Sequence, residues 1–261
     1  MEAWGLNGKV AVVTGAARGI GEAVVRSMAE HGCTVAALDI NTSLLNRLVK
    51  ELHASNLAAA GYTVDVCDHA AVEQVVEGIE NQLGPIDILV NVAGILRIGS
   101  AVSLTDEDWE SSFAVNATGV FCMSRSVARR MIPRKRGSII TIGSNAASVP
   151  RLRMSAYAAS KAAAVQYTKT LALELAEHHI RCNVVSPGST QTDMQWSLWD
   201  GPDSEQAVIS GSREAFRVGI PLQRLADPAD IADAVIFLAS DRSKHITMHN
   251  LYVDGGASLG G

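Results

Sequence analysis

Short apolar runs rich in valine, isoleucine and alanine recur along this chain, and a longer stretch with helical spacing follows most of them. The runs fall at 9–13, 34–38, 60–64, 86–90, 137–143, 180–185 and 249–253. Most lack the apolar–polar alternation of a half-exposed strand, so they read as strands covered on both faces. Helical periodicity occupies 19–31, 43–54, 69–82, 106–131, 155–178 and 228–239. Alternation of this kind implies right-handed crossovers. The expected fold is α/β: a seven-stranded parallel sheet with helices on both faces, doubly wound as a single domain over 1–261. Only 188–220 breaks the rhythm, with glycine, proline and two tryptophans. A long insertion after a strand of a parallel sheet lies where ligands bind, so a substrate lid is expected there.

Composition agrees with one large domain. Of 261 residues, 48% are hydrophobic and 19% charged, and a chain of this length buries about three-quarters of its unfolded surface. The net charge is −5. The one basic cluster, Arg134-Lys135-Arg136, is short and reads as a solvated helix end, so no nucleic-acid partner is expected. No leader and no membrane-length apolar run is evident, which points to a cytoplasmic protein without a membrane partner. Cys33, Cys67, Cys122 and Cys182 are scattered and read as reduced thiols. Neither they nor the seven histidines have ligand spacing, and no metal is expected.

Candidate chemistry begins after the first strand, at Thr14-Gly15-Ala16-Ala17-Arg18-Gly19-Ile20-Gly21. Glycines between a strand and a helix let the backbone approach a pyrophosphate, and the helix N-terminus favours that anion. Strand, glycines and helix in this order are what the phosphate-binding turn of a Rossmann domain requires, and such a turn is expected here. Asp39 ends the second strand, eighteen residues past Gly21, where a carboxylate would accept hydrogen bonds from an adenosine ribose. It would repel a 2′-phosphate and favour NAD. Arg18, a base in the glycine loop, pulls toward NADP; the acid carries more weight because it would face the 2′ position directly.

The second candidate is Tyr157-Ala-Ala-Ser-Lys161, with Ser144 thirteen residues before the tyrosine. Residues four apart share a helix face, so the Lys161 ammonium can lie near the Tyr157 phenol. A phenol titrates near ~10, and a nearby positive charge favours its ionised form. That would make Tyr157 a proton acceptor, while Ser144, at a strand end, could hold a substrate oxygen. Tyr-x-x-x-Lys alone is a common helix surface; its coincidence with the glycine loop gives it meaning.

Together the motifs Thr14-Gly15-x-x-x-Gly19-x-Gly21, Asp65-Val66, Asn91-Val92-Ala93-Gly94, Asn116, Ser144, Tyr157-x-x-x-Lys161 and Pro187-Gly188 identify a resemblance. The chain resembles the short-chain dehydrogenases/reductases over essentially its whole length. The resemblance implies a catalytic tetrad of Asn116, Ser144, Tyr157 and Lys161. In it Tyr157 is the acid/base and Ser144 holds the substrate oxygen. Lys161 lowers the phenol pKa and binds the nicotinamide ribose, and Asn116 holds a relay water. It further implies cofactor contacts from Gly15, Arg18, Gly19, Ile20, Gly21, Asp39, Asp65, Val66, Asn91, Ala93, Gly94, Tyr157, Lys161, Pro187, Gly188 and Thr190. Val92 stands where the family usually has a second asparagine.

A narrower likeness rests on Ile95-Leu96-Arg97-x-Gly99, Pro150-Arg151-x-x-Met154-Ser155-Ala156-Tyr157, the run from Arg181 to Trp199 and the tail from His245 to Gly260. These resemble family members that oxidise a cyclic dihydrodiol carboxylic acid, which implies a small-molecule acid as partner and a homotetramer. Such a substrate needs a cation. Arg97 and Arg151 follow strands at the expected ligand edge, and either could meet the carboxylate, though both also suit an ordinary surface loop. Gln195 and Trp196 lie on the expected lid, Trp196 as a possible wall against a flat ring. An oxidoreductase of 3-oxoacyl thioesters or sugar alcohols, and a nucleotide-binding protein without turnover, remain alternatives on the same scaffold.

Overall fold

The computed structural model describes residues 4–260. Seven strands form one sheet: β1 (Val10–Thr14), β2 (Thr34–Asp39), β3 (Ala59–Thr63), β4 (Ile86–Asn91), β5 (Gly137–Ile142), β6 (Ile180–Pro187) and β7 (Asn250–Val253). Their order is β3-β2-β1-β4-β5-β6-β7, and every neighbouring pair is parallel. The chain winds outward from β1 to β3, then crosses to β4 and winds the other way. Strand order therefore reverses between β1 and β4, and a crevice opens there at the carboxyl ends of the strands.

Among the described residues nine α-helices accompany the strands: α1 (Gly19–Glu30), α2 (Thr42–Ala54), α3 (His69–Leu83), α4 (Asp106–Phe113), α5 (Val120–Met131), α6 (Ser155–Leu175), α7 (Asp193–Trp196), α8 (Ser204–Ser210) and α9 (Pro228–Ala239). Successive side chains of a strand point to opposite faces, and both faces here are apolar. Ala11 and Val13 of β1 pack with Val24, Met28, Leu45, Leu48, Ile231 and Val235, beneath α1, α2 and α9. Val10 and Val12 pack with Val76, Ile79, Leu89, Met123, Met131 and Leu171, beneath α3, α5 and α6. This double covering explains the continuous apolar runs in the sequence.

Most expected boundaries agree within two residues. The helix expected over 106–131 does not run unbroken: a π-helical segment, Ala114–Gly119, separates α4 from α5. Six residues of wider winding leave the apolar spacing almost unchanged, so sequence periodicity did not reveal them. The helix expected to 178 ends at Leu175, and a 3₁₀ turn follows before His179 adopts φ 56°. The irregular stretch 188–220 carries α7 and α8, and Ile209 and Ile220 pack with Leu225 and Ala257 in a small separate core. Ile220 N donates to Ile209 O and Leu222 N to Gly255 O, at 2.8 and 3.1 Å, tying the insertion to the loop after β7. Among the described residues no helix is long and apolar enough to cross a membrane.

Candidate active site

The turn from β1 to α1 is closed by backbone proximity. A Cβ on Gly21 would fall 1.9 Å from Gly15 O, and one on Gly15, at φ +62°, would fall 2.7 Å from Ala93 Cα. Only glycine fits either position. Thr14 Oγ1 accepts from the amides of Val92 and Ala93 at 3.1 and 3.2 Å, fastening this turn to the loop after β4. No side chain caps the N-terminus of α1, so its first amides, those of Gly19, Ile20 and Gly21, remain donors for an anion.

Asp39 faces the same turn. Its Oδ2 accepts from Ala17 N at 3.0 Å and its Oδ1 from Asn41 N at 2.9 Å. A carboxylate has about four acceptor positions, so capacity for ribose hydroxyls remains. Arg18 is exposed, and its Nη1 lies 3.8 Å from Asp193 Oδ2 of α7; the base weighed against Asp39 is thus paired with the insertion after β6. Val66 is buried just past β3 and Asp65 beside it is exposed. Asn91, at the end of β4, donates to Ser124 Oγ at 2.9 Å while its buried Oδ1 has no hydrogen-bond partner among the described residues. Pro187 closes β6, Gly188 packs on Asp254, and Thr190 is buried and paired with Ala226. Free helix-end donors, a glycine floor and a positioned carboxylate fit a nicotinamide dinucleotide.

Lys161 is 4% exposed and donates to Ile142 O, the last residue of β5, at 2.8 Å. Its Nζ lies 6.0 Å from the centroid of the Tyr157 ring. A Cβ on Gly94 would lie 3.2 Å from Asn116 Oδ1 and 3.3 Å from Lys161 Nζ, so these three residues meet. Asn116 sits in the π-helical segment. Its Nδ2 donates to Ile95 O and Ser160 Oγ at 2.9 and 3.0 Å, and its Oδ1 accepts from Ile95 N at 2.8 Å. Ser144 is buried past the end of β5, and its Oγ accepts from Ala146 N at 3.1 Å.

Electrostatics modifies one expectation. Lys161 was expected to lower the Tyr157 pKa, yet burial raises that pKa, and the hydrogen bond with Ser144 only partly opposes the rise. The reason is desolvation, which disfavours each charged form; the same cause lowers Lys161 from 10.5 to about 8. Burial in the protein alone therefore keeps the Tyr157 phenol protonated and brings the Lys161 amine, still mainly charged at neutral pH, within about a unit of losing its proton.

The substrate residues divide. Arg97 is exposed and its Nε lies 3.4 Å from Asp108 Oδ1 at the start of α4, so it is already paired. Arg151 is half-buried. Gln195 is half-buried on α7, and Trp196 beside it is 48% exposed. Sequence reasoning missed Ser160, although it stands inside the Tyr–Lys motif, and Thr14 as the fastener of the turn. It also missed Arg217, which no local pattern distinguishes from other residues of the stretch 188–220.

The fold and site define a dinucleotide-dependent oxidoreductase, and the chain belongs to the short-chain dehydrogenase/reductase family. The family signature described as "Enoyl-(Acyl carrier protein) reductase" matches residues 15–258. The chain is 58% identical over 260 residues, 100% of both proteins, to a 2,3-dihydro-2,3-dihydroxybenzoate dehydrogenase of Bacillus subtilis. It is 42% identical to the Escherichia coli protein of that name, over 97% of this chain and 98% of the other. A gluconate 5-dehydrogenase from Burkholderia cenocepacia, solved with NADP and tartrate, superposes with a TM-score of 0.92 at 32% identity, covering 99% and 98% of the two chains.

Burial of Lys161 yields a stability prediction. Between about 8 and 10.5 the unfolded chain holds a proton on this amine that the folded protein lacks, so stability rises with pH across that window. Lys161→Met removes the contribution. Urea unfolding at pH 7, 8, 9 and 10 should show the stability difference, wild type minus the Lys161→Met variant, increasing above pH 8. A difference independent of pH would contradict the buried amine.

Proposed function

We propose that this protein oxidises 2,3-dihydro-2,3-dihydroxybenzoate to 2,3-dihydroxybenzoate with NAD as hydride acceptor. The observation that carries the reading is the convergence of Ser144, Tyr157 and Lys161 beside the glycine turn, in a chain 58% identical over its full length to a relative of that name. The product is a catechol acid of the kind built into catecholate siderophores, and we place the protein in their biosynthesis, as a cytoplasmic homotetramer.

When bound, a nicotinamide dinucleotide supplies the hydride acceptor and, in its oxidised form, a positive ring charge. The amides at the start of α1 would hold its pyrophosphate, Asp39 its adenosine ribose, and Lys161 its other ribose. Asp65 and Val66 would border the adenine, and Asn91, Ala93, Gly94, Pro187, Gly188 and Thr190 would line the nicotinamide end. Ser144 Oγ holds the reacting substrate hydroxyl against Tyr157. The phenolate takes the hydroxyl proton as the carbon–hydrogen bond breaks, leaving a ring ketone. Asn116 and Ser160 fix the loop after β4 against α6, and Lys161 passes the proton from Tyr157 toward water. The ketone then loses its ring proton and enolises to the catechol, and aromatisation draws the reaction forward.

The test is dinucleotide reduction followed at 340 nm with the dihydrodiol acid, the same ring lacking the carboxylate, a sugar alcohol and, in reverse, a 3-oxoacyl thioester. The acid is expected to have the highest kcat/KM; a higher value for any other compound would overturn the assignment. Cofactor choice gives a second expectation. NAD should exceed NADP in kcat/KM, and Asp39→Ala should narrow the gap, because repulsion of a 2′-phosphate goes with the carboxylate. Equal efficiency in the unaltered protein would mean that Arg18 outweighs Asp39.

A further inference from the structure

Arg217 is turned inward where its neighbours are turned out. Phe216 is 85% exposed and Val218 60% exposed, while Arg217 between them is half-buried. An apolar pair facing water around a charge facing protein reverses the usual partition. The backbone enforces it. Phe216 adopts φ +53°, a conformation unusual for a bulky side chain. Arg217 N donates to Ser212 O at 2.8 Å, and Ser212 N to Arg217 O at 3.0 Å. Gly211 and Gly219 close the base of the loop, where a Cβ on either would lie 2.4 Å from a backbone oxygen.

The charge has no acceptor. Among the described residues Arg217 makes no side-chain hydrogen bond or ion pair, and neither does Arg151, on the loop between Ser144 and Tyr157. The two loops meet through the segment after β7: Ile220, three residues past Arg217, lies against Gly255, Leu222 N donates to Gly255 O at 3.1 Å, and Asp254 next to it accepts from Asn145, beside Ser144. Burial disfavours the charged form of Arg217, and Arg151 adds to that. The acid that acts on Arg151 is Asp254. Its carboxylate is engaged by Asn145 Nδ2, Ser258 Oγ and Gly256 N at 3.2, 2.6 and 3.0 Å. Two partly desolvated like charges, converging from a fixed loop and from the lid, form an arrangement that an anion would stabilise.

We propose that Arg151 and Arg217 form a two-arginine clamp for the substrate carboxylate, with Arg217 as the lid's specificity-determining residue. The inference rests on the reading of the substrate as a ring carboxylic acid. Arg151 meets the anion from the side of the reacting hydroxyl, next to Ser144 and Tyr157. Arg217 meets it from the lid, so a carboxylate links the lid to the catalytic loop and a neutral ring does not. Arg97, paired with Asp108, takes no part.

The experiment uses the full chain with saturating NAD and compares the dihydrodiol acid with the neutral dihydrodiol. Arg217→Met should lower kcat/KM for the acid roughly tenfold to hundredfold, mainly through KM, and change the neutral diol by less than about threefold. Arg213→Met, on the exposed side of the same loop, should leave both unchanged. In calorimetry with NADH present, Arg217→Met should weaken binding of 2,3-dihydroxybenzoate but not of catechol. Arg217→Gln serves the same comparison should the Met variant fail to fold. If the unaltered protein does not prefer the acid, the substrate reading itself fails. If it does, and Arg217→Met or Arg217→Gln keeps that preference, the substrate reading stands and the clamp is overturned. Equal losses on acid and neutral diol would assign Arg217 a structural role and likewise overturn it.

Discussion

Placing an amine at the buried carboxyl edge of a parallel sheet costs solvation, and the candidate site is organised around Lys161. Its Nζ takes a β5 carbonyl, Ile142 O, as its direct hydrogen-bond acceptor. That bond fixes α6 to the sheet and sets the position of Tyr157, one turn earlier. The space beside Nζ is tight for a side chain at residue 94, and the loop after β4 passes close enough for Asn116 to grip Ile95 at both its amide and its carbonyl. Ser160 completes the link from Asn116 back to α6. A lysine with a solvated ammonium would impose none of this. The same desolvation that lowers its pKa to about 8 also puts it within reach of proton exchange near neutrality.

Charge is distributed around this centre with different degrees of compensation. On the dinucleotide side, Asp39 is bound by two backbone amides and Arg18 leans on Asp193 of the lid. Arg151, on the loop between Ser144 and Tyr157, and Arg217, on the insertion after β6, make no side-chain hydrogen bond or ion pair among the described residues. A partly buried cation without a direct acceptor costs solvation, and an anionic ligand would offset that cost. The insertion thus leans on the glycine turn through Asp193 and Arg18 and also carries Arg217, which suits the proposed role of an element that responds to both cofactor and substrate.

The sequence made the sheet legible because strands covered on both faces leave uninterrupted runs such as Val10–Thr14 and Ile86–Asn91. The glycine turn was legible because Gly15 and Gly21 answer a steric demand that no other residue meets. Less visible was the π-helical segment, since its widened winding changes hydrogen bonding more than apolar spacing. Arg97 and Arg151 looked equivalent in sequence, each an arginine after a strand. Only three-dimensional placement shows that Asp108 pairs directly with Arg97, whereas Arg151 makes no direct ion pair among the described residues and only Asp254 favours its charge. Arg217 carried no local signal at all. Its significance lies in contrast with Phe216 and Val218 and in proximity to a residue sixty-six positions earlier. The direction of the Tyr157 shift was also beyond the sequence, because the i, i+4 pairing shows a nearby charge but not the depth at which both groups are buried.

The central claim is that Tyr157 is the proton acceptor of a dinucleotide-dependent alcohol oxidation, and its removal tests this most directly. Tyr157→Phe keeps the ring and removes only the hydroxyl. Fluorescence titration with NADH should show dinucleotide affinity within about threefold of the unaltered protein, while kcat for the dihydrodiol acid falls by about two to four orders of magnitude, the scale of a lost general acid–base. A folded Tyr157→Phe protein that binds the dinucleotide and turns over at a near-normal rate would contradict the account.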